Sequence, residues 1–468
     1  MGNFLKAFKG LFTTVNDKQL KRAYNFDAGR RKEFSNNFSL SNNWSIDKAL
    51  NEDRRKIMRQ RAREEVFNNA WAFGAGQSLC SSVIGNGARV QLLTRGKERA
   101  ICDEIENDFQ AWAEEIELAS KLRAMRFSKY QDGEAFALIN TNMNLESEVK
   151  LDITPIDCDR VTSNGALESY QGDNDFYLDG IQLDQYGNAT KYRVLDFHPG
   201  GNYPFDAEAT YYNSSMVIHW FKRITSEQHR GLPEIAPALD LFNSLRRYTD
   251  ATIKAAETAA SIAFCLYTDD ADCGGDYEEG GGGFVGAESL QEFQVQAGRG
   301  LVLPDSFKLT QLDAKQPTQG FSDLVDNLLG QIGACIGLPR LVMRKSATGF
   351  NYASARVDLQ AFYKFVKQEQ AELVTKVLRP IWKRWFKEYC LLYGLNANDF
   401  HDTYIFEGEE PIDQMKEANA VKTSLENNTT TLSSVFAKAG LDWKTQLEQI
   451  AREKAFKTEL EKRYKVKF

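Results

Sequence analysis

A chain of 468 residues is longer than one hydrophobic core usually supports, so two or three folding units are expected. Its 42% hydrophobic and 26% charged residues are those of an ordinary globular protein, and neither a membrane-length apolar run nor a signal-peptide pattern is read in it. The net charge of −7 excludes a protein that wraps nucleic acid with its whole surface, because such surfaces are basic; weak contact with nucleic acid sliding past stays compatible.

Phe4, Leu5, Phe8, Leu11 and Phe12 recur at helical spacing among lysines. That pattern fits a terminal helix packed on the body, or a contact with a membrane or partner protein. From Ile46 to Ile84 the apolar positions Ala49, Leu50, Ile57, Val66, Ala70 and Ala72 predict long amphipathic helices. Gly85-Asn86-Gly87 then predicts a helix stop leading into a strand with Val90 and Leu92. A second helical stretch covers Glu98 to Ser128, followed by short strands in EAFALINTN, VKLDITPID, GIQLDQYGNATKYRVLDF and SMVIHWFKR. In the third of these, the YGN turn predicts a hairpin with Asn188 after Gly187. The fold class is therefore α+β, mainly helical.

After Gly231-Leu232-Pro233 one long helix is predicted from Glu234 through Ile262, with Pro237 in its first turn and a small-residue stripe at Ala251, Ala255 and Ala259. The acidic, glycine-rich stretch that follows reads as an insertion, and its carboxylates lack the closing Glu of a calcium loop. GLVLP and FKLTQL lead back to a shorter helix from Phe321 to Ile336. An amphipathic helix built on Leu359, Phe362, Tyr363, Val366, Leu373, Val374, Val377 and Leu378 is expected to end near Pro380. Two helical segments, Pro411 to Asn427 and Leu432 to Arg463, close the chain.

Signatures of catalysis are missing. The seven cysteines, Cys80, Cys102, Cys158, Cys265, Cys273, Cys335 and Cys390, form no CxxC pair and read as reduced thiols. The histidines His198, His219, His229 and His401 have no zinc spacing, Gly96-Lys97 lacks the rest of a phosphate loop, and no GxSxG elbow occurs. Neither a catalytic residue, a metal site nor a cofactor is expected. A DNA-processing nuclease, the rival from another class, would need clustered carboxylates around two metals, and nothing in the sequence locates them.

Several phrases, taken in order, resemble the lambda-type family of tailed-bacteriophage portal proteins. They are the block Arg61 to Gln91, GEAF at Gly133 to Phe136, IDCDRV at Ile156 to Val161, and GIQLDQYGNATKYRV with VIHWFKR behind it. HRGLPEIAPAL from His229 to Leu239, GLPRLVM with GFNYASARVDLQAF between Gly337 and Phe362, and the C-terminal DQMKEANAV and LDWKTQLEQIAREK complete the match. It runs from about residue 20 to 455 and leaves out the far N-terminus and the glycine-rich insertion. A shorter head–tail connector or minor capsid protein is the nearer rival, but it does not explain the GLPE and NYASAR blocks.

The resemblance implies a portal fold with wing, stem, clip and crown regions around an axial channel, in a dodecameric homo-oligomer at one capsid vertex. Residues 1–230 would be wing, 231–262 and 321–337 the stem helices, 263–320 the clip, 338–354 the tunnel loop, and 355–468 the long wing helix and crown. The partners implied are double-stranded DNA in transit, the terminase large subunit, a head–tail adaptor and the major capsid or scaffold protein. The chain would sit in the virion, after assembly in the host cytoplasm. Arg340, Arg344, Lys345 and Ser346 would face the DNA, or the arginines would pair with carboxylates of neighbouring subunits. His229, Arg230, Gly231 and Pro233 would hold the wing-to-stem junction, and Asn351, Tyr352 and Arg356 the loop and the start of the next helix.

Overall fold

The structure, a computed structural model, describes residues 44–94, 99–163, 176–201, 208–261, 265–268, 307–310, 319–407, 414–438 and 443–464. The N-terminal amphipathic segment, Gly96-Lys97, GLVLP and the glycine-rich stretch lie outside them. Two compact units emerge, one formed by Ser244–Val325 and the other by Met1–Asn243 with Asp326–Phe468.

The larger unit opens with α1 (Ile46–Ala49), α2 (Glu52–Asn68) and α3 (Ala70–Val83). Ser45, Asn51 and Asn69 start these helices, each accepting a backbone N–H that the first turn would otherwise leave unbonded. The apolar pattern misplaces α2: Ile57 is exposed, while Arg55, Arg59 and Glu65 are buried. That helix turns its arginines inward because three carboxylates await them there.

The Gly85–Gly87 turn leads into β1 (Arg89–Thr94), as the spacing predicted. The stretch from Glu98 forms two helices, α4 (Arg99–Glu115) and α5 (Leu118–Asp132), because Glu117 takes a left-handed conformation, φ 52°, that no α-helix continues through. Then come β2 (Glu134–Thr141), β3 (Leu151–Ile156), β4 (Phe176–Leu178), β5 (Ile181–Leu183), β6 (Ala189–Leu195), β7 (Ala209–Asn213) and β8 (Val217–Phe221). They make two antiparallel sheets, ordered β3-β2-β8 and β4-β5-β6-β7. At the β5–β6 hairpin it is Gly187, not Asn188, that supplies the positive φ.

The long helix α6 (Leu239–Ser261) begins five residues later than expected. Pro237 instead sits in a 3-10 turn at Ala236–Ala238, and Glu234 is held in an ion pair outside the helix. In the smaller unit, β9 (Cys265–Thr268) pairs antiparallel with β10 (Phe307–Thr310), so the two flanks of the insertion close on each other. Tyr248 of α6 stacks on Phe321 of α7 (Gln319–Ile336) at 5.5 Å.

Beyond α7 the chain forms α8 (Arg340–Arg344) and α9 (Tyr352–Leu373). No break occurs at Pro380: a π-helical turn, Val374–Leu378, joins α9 to α10 (Arg379–Tyr393), whose first turn tolerates the missing N–H of Pro380. β11 (Phe400–Ile405), which the sequence reading missed, pairs with β1 across more than 300 positions. The C-terminal part holds α11 (Gln414–Glu426), α12 (Leu432–Lys438) and α13 (Trp443–Tyr464), so the expected final helix is two helices.

The main core lies between α4, α5, α10 and the β3-β2-β8 sheet. Phe109, Trp112, Trp382, Trp385 and Phe386 stack there at 4.9–6.1 Å, and the Trp112 indole N–H donates to the Leu151 carbonyl at 2.8 Å. A smaller core joins β2 and β8 to β5 and β6.

Where β2 begins, two backbones touch. A Cβ at Gly133 would lie 2.2 Å from the Leu232 carbonyl carbon, and one at Gly231 would lie 2.2 Å from the Gly133 carbonyl oxygen. Gly133→Ala is therefore expected to abolish soluble folded protein. Gly330→Ala, at a helical site with open space, should raise stability by about 0.5–1 kcal/mol. Soluble yield and thermal unfolding of the two variants check this; a folded Gly133→Ala protein would contradict the close approach.

Candidate functional site

Two buried charge clusters flank the junction between β2 and the segment that leads into α6. The first centres on Glu134, whose side chain is 0% exposed. Its oxygens accept from Arg230 Nε at 3.1 and 3.0 Å and Arg230 Nη2 at 2.6 Å, from the Gly231 N–H at 2.9 Å and from Arg59 Nη1 at 3.3 Å. His219 Nε2 lies 3.1 Å away and must carry a proton to meet a carboxylate, which leaves Nδ1 to accept from the Tyr192 hydroxyl at 3.3 Å. Arg230 reaches on to the Val161 carbonyl at 3.2 Å and Asp179 at 3.1 Å, and Arg55 bonds Asp179 from the other side.

Burial alone would raise the Glu134 carboxyl, yet the Arg230 charge and the bonds from His219 and Arg230 hold it well below the usual carboxylate range. The same burial lowers His219 below its ordinary value, against the pull of Glu134, so the ring is neutral. Every charge in the cluster thus has a partner, which a buried charge requires.

The second cluster sets Arg126 and Lys129 of α5 against Glu234, Glu369 and Glu372. Arg126 meets Glu234 at 3.0 Å and Glu369 at 3.4 Å; Lys129 meets Glu369 at 2.7 Å and Glu372 at 3.2 Å. Lys129 also lies over the Trp220 ring at 4.8 Å. One helix thereby grips both Glu234, just ahead of the 3-10 turn before α6, and the C-terminal end of α9.

Between α7 and α9 the chain is pinned at its start and open at its tip. Leu338 and Met343 are buried, and the Leu338 N–H returns to the Gly333 carbonyl at 2.9 Å. Arg344 pairs with Asp326 at 2.7 Å, and Arg340 lies over the Phe350 ring at 4.8 Å. Lys345 is exposed in a left-handed conformation, φ 49°, followed by exposed Ala347, Thr348 and Gly349. Asn351 closes the segment with a reciprocal cap, its Oδ1 accepting from the Ser354 N–H at 2.8 Å and its own N–H donating to Ser354 Oγ at 3.1 Å.

No arrangement among the described residues resembles a catalytic centre. The fold does bring His198 beside Asp157 and Asp159, a grouping no sequence spacing suggested. There the Gly200 N–H donates to His198 Nδ1 at 3.0 Å, which puts the ring proton on Nε2, facing the carboxylates, and Arg63 binds both of them. A metal would have to displace that proton and that guanidinium. A cavity of about 700 Å³ beside the Asn86–Val90 turn is lined by Arg89, Arg123, Glu114 and Glu117, with no His or Cys among its walls.

Residues 36–370 match the model of the family described as "Phage portal protein, lambda family", a span that takes in the first charge cluster, all of the second but Glu372, α6, α7 and the segment after it. The chain belongs to the lambda family of phage portal proteins. A probable portal protein of Halomonas phage phiHAP-1 is 22% identical over 457 residues, covering 92% of this chain and 86% of the relative. Among solved structures, the virion of a native gene transfer agent particle contains a chain of TM-score 0.45 and 14% identity, covering 82% of this chain and 92% of the other. An HK97-family phage portal protein from Corynebacterium diphtheriae gives TM-score 0.29 and 13% identity over 64% and 85%.

Two of the portal-like phrases, GEAF and HRGLPE, prove to be neighbours in space: Glu134 of one binds Arg230 and Gly231 of the other. His229 Nδ1 meets Asp47 at 2.7 Å, tying α1 to the same turn, and Pro233 lies against Gly133. Of the cations singled out in the sequence, Arg340 and Arg344 have partners within their own chain, which leaves Lys345 at the exposed tip. Ser346 bonds Thr348 at 2.9 Å, Arg356 is exposed, and the side chain of Tyr352 is outside the described residues. Sequence reading missed Glu134, Asp179, Arg55 and the Arg126–Lys129 pair; the one available signal was charged residues on the apolar side of α2.

The His219 environment fixes a pH dependence. Its folded pKa is depressed, so below about pH 6.5 the unfolded chain binds a proton that the folded chain refuses, and stability is lost as pH falls. Asp132, pushed up to about 6 by burial against the pull of Arg63, acts in the opposite sense. Comparison with His219→Gln cancels that contribution. Between pH 7 and 5 the unmodified protein should lose more stability than His219→Gln in urea unfolding; equal losses would remove His219 from the account.

Proposed function

We propose that the chain is the ring-forming portal subunit at one capsid vertex, a dodecamer through whose axial channel double-stranded DNA is packaged and later ejected. The observation that carries this reading is the family match over residues 36–370, which includes the two long helices, the segment between them and the 338–354 loop. On this reading residues 1–230 are wing, 231–262 and 321–337 the stem helices, 263–320 the clip and 355–468 the long wing helix and crown. The clip would meet the terminase large subunit during packaging and a head–tail adaptor afterwards, and the outer wing the major capsid or scaffold protein. Assembly would take place in the host cytoplasm.

No catalytic residue is required, because the motor hydrolyses the nucleotide and the ring supplies a passage and a docking surface. Each copy adds a net charge of −7, and a channel of that sign repels phosphates, which suits sliding over sticking. Lys345, with Ser346 and the exposed tip, is the loop's cationic contact to the duplex, while Arg340 and Arg344 keep the loop in place.

Light scattering combined with negative-stain imaging of the purified chain tests this. The expected result is a particle of about twelve subunits with an axial hole. A compact monomer at every concentration and salt would overturn it and return attention to a metal-dependent nuclease, which a cleavage assay would detect.

A further inference from the structure

The inward turn of the α2 arginines has an outward counterpart. Asp53, Ile57, Gln60, Glu64 and Phe67 form one exposed row along α2 at four-and-three spacing, with Ile57 at 44% and Phe67 at 68% exposure. On α9 the residues Ala353, Val357, Gln360 and Lys364 form a second exposed row at the same spacing, with Val357 at 65% exposure. Laid side by side in the same direction, the rows set Ile57 beside Val357, Gln60 beside Gln360 and Glu64 beside Lys364. One row is acidic and apolar, the other basic and apolar.

Both rows are exposed in the single chain, so neither covers the other. We propose that the α2 row of one chain docks on the α9 row of a second copy, with Glu64 opposite Lys364 and Ile57 against Val357. This rests on the ring reading above and names the surface that would make the ring. The two patches differ, so the contact is heterologous, the head-to-tail kind that closes rings and not two-fold dimers. Opposite charges fix the register, and the apolar residues supply the buried area. A phosphate backbone would answer Lys364 but would leave Val357 and the whole α2 row without a partner.

Charge reversal tests the contact in the full-length chain. Glu64→Lys and Lys364→Glu each place like charges in every interface and are expected to raise the concentration at half-assembly by about tenfold or more. The double variant restores opposite charges and should assemble within about threefold of the unmodified chain, as read by sedimentation, with thermal melts of all forms unchanged. Single variants that assemble like the unmodified ring, or a double variant no better than either single one, overturn the contact and leave the ring reading standing. Intact Lys364→Glu rings that have lost DNA retention assign the α9 row to DNA instead. An unmodified chain that never assembles overturns both readings.

Discussion

The ion pair between Glu134 and Arg230 is the constraint on which the rest of the larger unit depends. A carboxylate with no solvent exposure survives only if its charge is answered, and here five donors converge on it from α2, β8 and the turn after β8. Its position fixes the others. Arg59 can reach it only if α2 turns its charged side inward, and Gly231 can donate to it only if two backbones come within a distance that excludes any side chain. Exposed pairs such as Lys422 with Glu426 contribute at most about 1 kcal/mol, whereas breaking a buried pair costs about 3–5 kcal/mol.

From that anchor the ion pairs continue to the C-terminal end of α9. Glu234, three residues beyond Gly231, passes the constraint to Arg126, and Arg126 and Lys129 share it with Glu369 on α9. The segment before the long helix and the helix after the 338–351 segment are therefore held by the same element, α5. Lys345, Thr348 and Gly349 are open, while Leu338, Met343, Arg344 and Asn351 pin both ends.

Much of this was legible in the sequence. The helices and strands with clean periodicity, among them α7 and β2, lie where the spacing put them, and the portal-like blocks were recognisable in order. The failures share a physical cause, which is that tertiary partners override local pattern. Ile57 reads as core until Arg55 and Arg59 are seen to be needed inside; Glu234 reads as helical until Arg126 claims it. β11 has no partner nearer than β1, more than 300 residues away, so nothing local marks it as a strand. Within the candidate loop the three cations could be named but not ranked, because Asp326 and Phe350 become their neighbours only through the fold.

The most direct test is the urea unfolding of Glu134→Gln, which keeps the side chain's size and one acceptor but removes the charge that Arg230 and Arg59 answer. A loss of about 3–5 kcal/mol, the cost of breaking a buried pair from one side, is the result the structure predicts. A loss below about 1 kcal/mol, the worth of a surface pair, would mean that the junction is held by something other than this carboxylate.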